Sequence, residues 1–381
     1  MTDSDALIVS MTRLGAREAA LRLQAFLSEG GERYRLCNAY EGLARALGYR
    51  NWNTLCAAFD ALDSGDCRRS GPDSALPSAP RTTDPSAMIP RSSGPLAMKG
   101  FPHFEIAGER YVTNWAEAAV SELLPAEHGV CIGPCGSGKS VLLALLGLVA
   151  RRDTGARCVF LDRHQGLRIP VLAQGGNWHK APWMALAEGD GPICVDLTDL
   201  YGQHRDLLRS TLDIVGRFLK RASGERFLLV DETEPMLAAS EFRSFYEGML
   251  SDGTPRTRTI SSFQRPGALR TAEGAMTAFQ LSDTFYLLPN PGAEASDYDL
   301  FGLSEQELAF VLGRSGIPRS RHSALVRRRG GESFLLDFDL AILKRAARVF
   351  SSGVVDLAAL DHVLGLGLEK WVDAYVLWER S

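Results

Sequence analysis

Residues 129–150 read GVCIGPCGSGKSVLLALLGLVA, and this stretch decides the fold. A short apolar run breaks into glycines, passes Lys139 and Ser140, and continues as a leucine-rich segment. Residues 133–140, GPCGSGKS, match G-x-x-x-x-G-K-[ST] and lie between a strand-like run and a helix-like one, the context this motif needs. Gly133, Gly136 and Gly138 let the backbone curl so that successive N–H groups converge on phosphate oxygens. The helix that follows adds its positive N-terminal end. The pattern predicts a triphosphate cradle built from Gly133, Pro134, Cys135, Gly136, Ser137, Gly138, Lys139, Ser140 and Val141. Lys139 would neutralise the β- and γ-phosphates, and Ser140 would hold Mg²⁺.

Hydrolysis requires a second element, a strand ending in acids. Residues 226–237, RFLLVDETEPML, supply it. Asp231 is expected on the metal side and Glu232 as general base, since adjacent residues at a strand end point in different directions. The next apolar run ends in SSFQRP, which places the Gln264 amide where it would touch the γ-phosphate or the attacking water.

The surroundings fit an enzyme of ordinary globular composition. The 381 residues are 45% hydrophobic and 23% charged, enough for one large domain and a small one. A formal net charge of -4 carries no basic excess of the kind that nucleic-acid or membrane surfaces need. Seven cysteines without a CxxC pair suit reduced thiols in a cytoplasm, and neither an export signal nor a run of 18 apolar residues is visible.

Residues 1–63 read as a small helical module. Residues 64–99 carry prolines at 72, 77, 80, 85, 90 and 95 and read as a flexible linker. From 100 to 381 apolar runs alternate with helix-like segments: VCI, RCVFLD, RFLLVDE, RTRTISSFQ, TFYLLP and SFLLDFDL. Such runs imply a mostly parallel sheet buried on both faces, hence an α/β class.

Residues 286–308, YLLPNPGAEASDYDLFGLSEQEL, together with GGESFLLDFDL from Gly330 and VFLDRHQG from Val159, resemble the C-terminal motor domain of the type IV secretion and conjugative-transfer ATPases. The resemblance implies a P-loop ATPase of the additional-strand type that uses ATP and Mg²⁺ and works as a homo-oligomer, a hexamer. It implies secretion or conjugation components as partners, DNA or protein as the transferred cargo, and a cytoplasmic location that reaches the membrane only through partners. It also implies an arginine reaching the active site of the adjacent subunit, with Arg256 and Arg258 first and the group from Arg314 to Arg329 second. Residues 43–59, LARALGYRNWNTLCAAF, resemble a small glyoxalase-related helical module of mobile-element proteins; no histidine precedes His103, so an interaction role is expected rather than metal chemistry.

Two other readings stay open at this point. One is a DNA-pumping translocase, the other a nucleotide-gated binding module without work output. Cys131 and Cys135 fit a buried filler and a variable loop position better than a redox switch. His164, His179 and His204 are too scattered for a metal site. The arginines from 314 to 329 suit a finger, a nucleic-acid backbone contact or a charged strand edge.

Overall fold

The computed structural model describes residues 89, 96–106, 109–112, 115–181, 191–200, 204–251, 257–315, 322–338, 340–351, 353–367 and 370–377. The helical module expected over 1–63, and the linker expected over 64–99 apart from Ile89 and residues 96–99, lie outside them. The chain divides into two units, Met1–Thr82 and Thr83–Ser381. The second holds every element below.

Its centre is a sheet of ten strands: β1 (Ala97–Gly100), β4 (His128–Ile132), β5 (Arg157–Asp162), β6 (Asn177–Lys180), β7 (Ile193–Asp196), β8 (Arg226–Val230), β9 (Thr257–Phe263), β10 (Ser282–Leu287), β11 (Ser323–Arg328) and β12 (Ser333–Asp337). Strands β2 (Phe104–Ile106) and β3 (Glu109–Tyr111) form a separate antiparallel pair. The order in the large sheet is β1-β12-β11-β10-β4-β9-β8-β5-β7-β6. Every neighbour from β10 to β6 is parallel. Strand β11 runs antiparallel to both β10 and β12, and β1 closes the other edge parallel to β12. The phosphate-loop strand β4 and the acidic strand β8 are separated by β9, so the additional-strand arrangement is present.

Period-two alternation sorts each central strand between the two faces. On β4, Cys131 joins one apolar cluster while Val130 and Ile132 join the other. On β5, Cys158 and Phe160 face one way, Val159 and Leu161 the other. Both sides are covered, which is why these strands read as unbroken apolar runs.

Helix α1 (Lys139–Thr154) covers the Cys131 face with Leu142, Leu143, Leu145 and Leu146 fully buried. Each such leucine contributes roughly 1.5–3 kcal/mol of transfer free energy. Arg151 and Arg152 lie in its last turn, against the negative end of the dipole, and Gly155 ends it at φ 66. Helices α2 (Arg205–Arg221) and α3 (Ser240–Ser251) cover the opposite face. There α2 buries Leu208, Leu212, Val215 and Leu219 at helical spacing, and α3 adds Phe242 and Tyr246.

Two differences from the sequence reading have plain causes. The sheet starts at Ala97, inside the expected linker, because β12 has an open edge that a short segment with unencumbered N–H groups pairs with. Ile89 is likewise buried, and its N–H donates to the Leu300 carbonyl at 3.1 Å. The arginine-rich stretch does not guard an edge either, since β11 lies inside the sheet between β10 and β12. Among the described residues no helix is long and apolar enough to cross a membrane.

Candidate nucleotide-binding site

Parallel pairing aligns strand ends. Ile132 pairs with Phe263, Val230 with Ser261, and Leu161 with Val230. The residues that follow therefore share one rim of the sheet: Gly133 after β4, Gln264 after β9, and Asp231 after β8, with Asp162 closing β5. Ligands of parallel α/β sheets bind at this rim.

Gly136 and Gly138 adopt φ 75 and φ 102, left-handed values that glycine reaches without strain. Gly133 is required for space, since a Cβ there would stand 2.6 Å from Ser137 Oγ and 2.8 Å from Leu288 Cβ. Pro134 is half-buried and Cys135 exposed. Gly138 caps α1 and turns Lys139 and Ser140 into its first turn, ahead of half-buried Val141. Lys139, 7% exposed, donates to the carbonyls of Gly133 at 2.8 Å and Pro134 at 3.0 Å, closing the loop on itself. Ser137 Oγ is buried there without a hydrogen-bond partner. On the far side, a Cβ at Gly138 would lie 3.0 Å from the His322 ring, which in turn packs on Phe338.

Ser140 Oγ donates to Asp231 Oδ2 at 2.5 Å. The other Asp231 oxygen accepts from Ser262 Oγ at 2.7 Å and from the Glu232 N–H at 3.1 Å. Ser262 also accepts from the Glu232 N–H at 2.8 Å, so one hydroxyl on β9 positions both acids. Glu232 itself has φ 56, a left-handed conformation that costs a non-glycine residue roughly 1–3 kcal/mol. The turn sends its carboxylate toward β5, where His164 Nε2 stands 2.7 Å from Oε2, while the Gln264 amide approaches Oε1 at 3.4 Å. Burial alone would push the Glu232 carboxyl up; the hydrogen bond to His164, with Arg163 and Lys139 nearby, outweighs it and holds the group below the ordinary carboxylate value. The acid is thus an ionised acceptor at neutral pH.

Beside it, Asp162 accepts from the N–H groups of His164 at 2.9 Å and Leu167 at 2.7 Å. Burial, then the charge of Asp231, pushes its carboxyl up to about 7. Gly166 completes the corner; a Cβ there would come within 3.6 Å of Ser140 Oγ and 3.7 Å of Asp231 Oδ2.

The arginines expected to reach an adjacent subunit fall only partly among the described residues. Arg258 sits near the start of β9, six residues before Gln264, or roughly 20 Å away along an extended strand. It donates to Glu225 at 2.9 Å and covers the Phe227 ring. Arg256, Arg319 and Arg321 lie outside the described residues. Arg327 is fully buried, bonded to the Gly331 carbonyl at 2.6 Å and near Glu307. Arg328 donates to Thr284 and Ser121, and Arg329 donates to the Ser282 carbonyl against the rings of Phe279 and Phe285. These three arginines bond within the chain around β11 and do not form a solvated edge. Arg314 is exposed.

Three contributors escaped the sequence reading: His164, Ser262 and His322. The only signal for the first two was their distance in residues from a strand end, since His164 follows Asp162 by two and Ser262 precedes Gln264 by two. Nothing local marked His322. Cys131 behaves as the filler expected of it, its thiol pushed up to about 12 by burial.

No family description and no curated protein matches this sequence. Among solved structures the chain is similar to VirB4 of Thermoanaerobacter pseudethanolicus, at 12% identity and a TM-score of 0.44, over 58% of this chain and 92% of that one. It is also similar to ATPases 2 and 3 of EccC from Thermomonospora curvata, solved with a signal sequence peptide, at 18% identity and a TM-score of 0.37, over 56% of this chain and 36% of that one. EccC is a type VII secretion ATPase. A KaiC-like protein from Pyrococcus horikoshii shares 16% identity at a TM-score of 0.29, over 42% of this chain and 72% of that one. What the chain itself displays is an α/β P-loop fold of the additional-strand type, with phosphate loop, acidic strand end and third-strand glutamine on one rim.

Proposed function

We propose that this chain binds ATP with Mg²⁺ at the β4 rim and hydrolyses it, as a motor of the secretion or conjugative-transfer kind. The observation that carries the enzymatic part is the pairing of Ser140 Oγ with Asp231 Oδ2 at 2.5 Å beneath the phosphate loop, with Glu232 next in the chain. A serine hydroxyl and a carboxylate, with glycine leaving room beside them, suit a small hard cation that takes oxygen ligands and keeps most of its water. Ser140 and Asp231 would hold Mg²⁺ there, and the ion would supply positive charge against the negative charge developing on the transferred group.

The chain's own groups do the rest. Backbone N–H groups between Cys135 and Ser140, at the start of α1, would orient the phosphates. Lys139 exchanges the Gly133 and Pro134 carbonyls for phosphate oxygens. Glu232, ionised, accepts a proton from the attacking water. Gln264, just past β9, donates to Glu232 at 3.4 Å and would lie within reach of the γ-phosphate or the attacking water. The transport part of the reading rests on the segments at 286–308 and 330–340, whose resemblance also favours a ring of six on the cytoplasmic side of a membrane machine. With Arg327, Arg328 and Arg329 engaged internally, Arg256 and Arg314 remain the first arginines to test in trans.

Calorimetric titration and steady-state turnover test the reading together. Turnover should vanish on chelation of Mg²⁺. Lys139→Ala should lose both binding and hydrolysis, whereas Glu232→Gln should bind ATP and turn over at least a hundredfold more slowly, roughly the loss expected of a missing general base. If Lys139→Ala kept wild-type affinity, the phosphate-loop assignment would be wrong.

A further inference from the structure

Among the described residues two that are not glycine have left-handed backbone, Gln165 at φ 59 and Glu232 at φ 56. Both belong to the surroundings of one contact, that of His164 Nε2 with Glu232 Oε2 at 2.7 Å: Gln165 follows the histidine and Glu232 is the partner itself. Conformations of this kind persist only where the surroundings over-determine them. Both sides of this contact are over-determined.

On the histidine side, Asp162 pins the loop at two points by accepting from His164 N–H and Leu167 N–H. Thr198, beyond β7, ties the same loop through a hydrogen bond from its hydroxyl to the Arg163 carbonyl. On the glutamate side, Ser262 on β9 accepts the Glu232 N–H while donating to Asp231. Two separate sets of hydrogen bonds, from β5 and β7 on one hand and β9 on the other, thus bring imidazole and carboxylate together. The imidazole is 40% exposed, so it is not held there to fill a core.

A glutamate side chain has three rotatable bonds, and a general base that wanders loses alignment with its water. We propose that His164 is a positioning residue for the hydrolytic step: its Nε2–H holds Oε2 of Glu232 and so aims Oε1, the oxygen near the Gln264 amide, at the water to be activated. The proposal rests on the ATPase reading above. It assigns His164 no contact with nucleotide and no proton transfer of its own.

The test is a double-mutant cycle on the full chain, reading turnover, nucleotide affinity and melting temperature for each variant. His164→Ala should lower kcat roughly ten- to a hundredfold, the scale of a misaligned catalytic group, with ATP affinity and melting temperature near wild type. His164→Gln, which offers an N–H at similar reach, should recover much of the loss. In a Glu232→Gln background, His164→Ala should add nothing further.

An unchanged kcat in His164→Ala would overturn the proposal, and a raised one would make His164 a brake on the base. Losses that multiply in the double variant would place its action elsewhere. A Glu232→Gln protein with wild-type turnover would remove the general-base reading itself, a failure distinct from one confined to His164.

Discussion

Asp162 shows how far a single buried group can be moved by its neighbours. Its carboxyl is pushed up to about 7 by burial and by Asp231, whereas in the unfolded chain it titrates near ~4. Between these values the native state keeps a proton that the unfolded state has released, so stability from this group falls as pH rises through the window. Glu232, shifted below its ordinary value, acts in the opposite sense and only at more acidic pH. Wild-type protein should therefore lose melting temperature from pH 4.5 to 7.5 more steeply than Asp162→Asn; equal slopes measured by scanning calorimetry would refute the assignment. The same residue illustrates why the site was half legible. Lys139, Ser140 and Asp231 were read from spacing, because a phosphate loop is a local object. His164 was passed over as a scattered histidine, because its partner lies 68 positions away and only strand order brings them together.

At the scale of elements, the packing of α1 on β5 has no slack. Gly147 in α1 faces the fully buried Phe160 ring, and a Cβ there would fall 2.4 Å from Phe160 Cζ. Alanine is favoured over glycine in a helix by about 1 kcal/mol, yet overpacking a filled core costs about 1–3 kcal/mol. Gly147→Ala should thus be destabilised by about 1–2 kcal/mol in urea unfolding, and Phe160→Leu in the same protein should relieve part of that. A stabilised Gly147→Ala would show that the ring moves aside freely. The central strands β4, β5, β8, β9, β10 and β12 were legible as apolar runs. Strand β7 is a short run that ends in an acid, β6 carries Trp178 and His179, and β11 is one-third arginine. Composition disguised these three, and pairing with a neighbour made them strands.

Over the whole molecule, the open edge beyond β12 is covered by the segment that composition assigned to a linker. Ala97 to Gly100 pair with Phe334 to Asp337, Phe101 N–H donates to the Asp337 carbonyl at 2.9 Å, and Lys99 is paired with Glu122. A chain that starts at residue 101 should melt several degrees below one that starts at residue 83 and should self-associate through the bared β12 edge, as sedimentation would show. Equal melting temperatures and two monodisperse monomers would mean that β1 contributes nothing. The sequence by itself determined the α/β class, the phosphate loop, the acids at the end of β8 and the amide after β9, because each is encoded within a few residues by glycine placement, apolar runs and strand-end polarity. Only the tertiary structure decided that His164 grips Glu232, that Ser262 serves both acids, that Arg258 lies at the far end of its strand, and that Arg327 to Arg329 are internal clamps. Those outcomes depend on which strands become neighbours and in what register, and that is set by the packing of two apolar faces over the entire sheet.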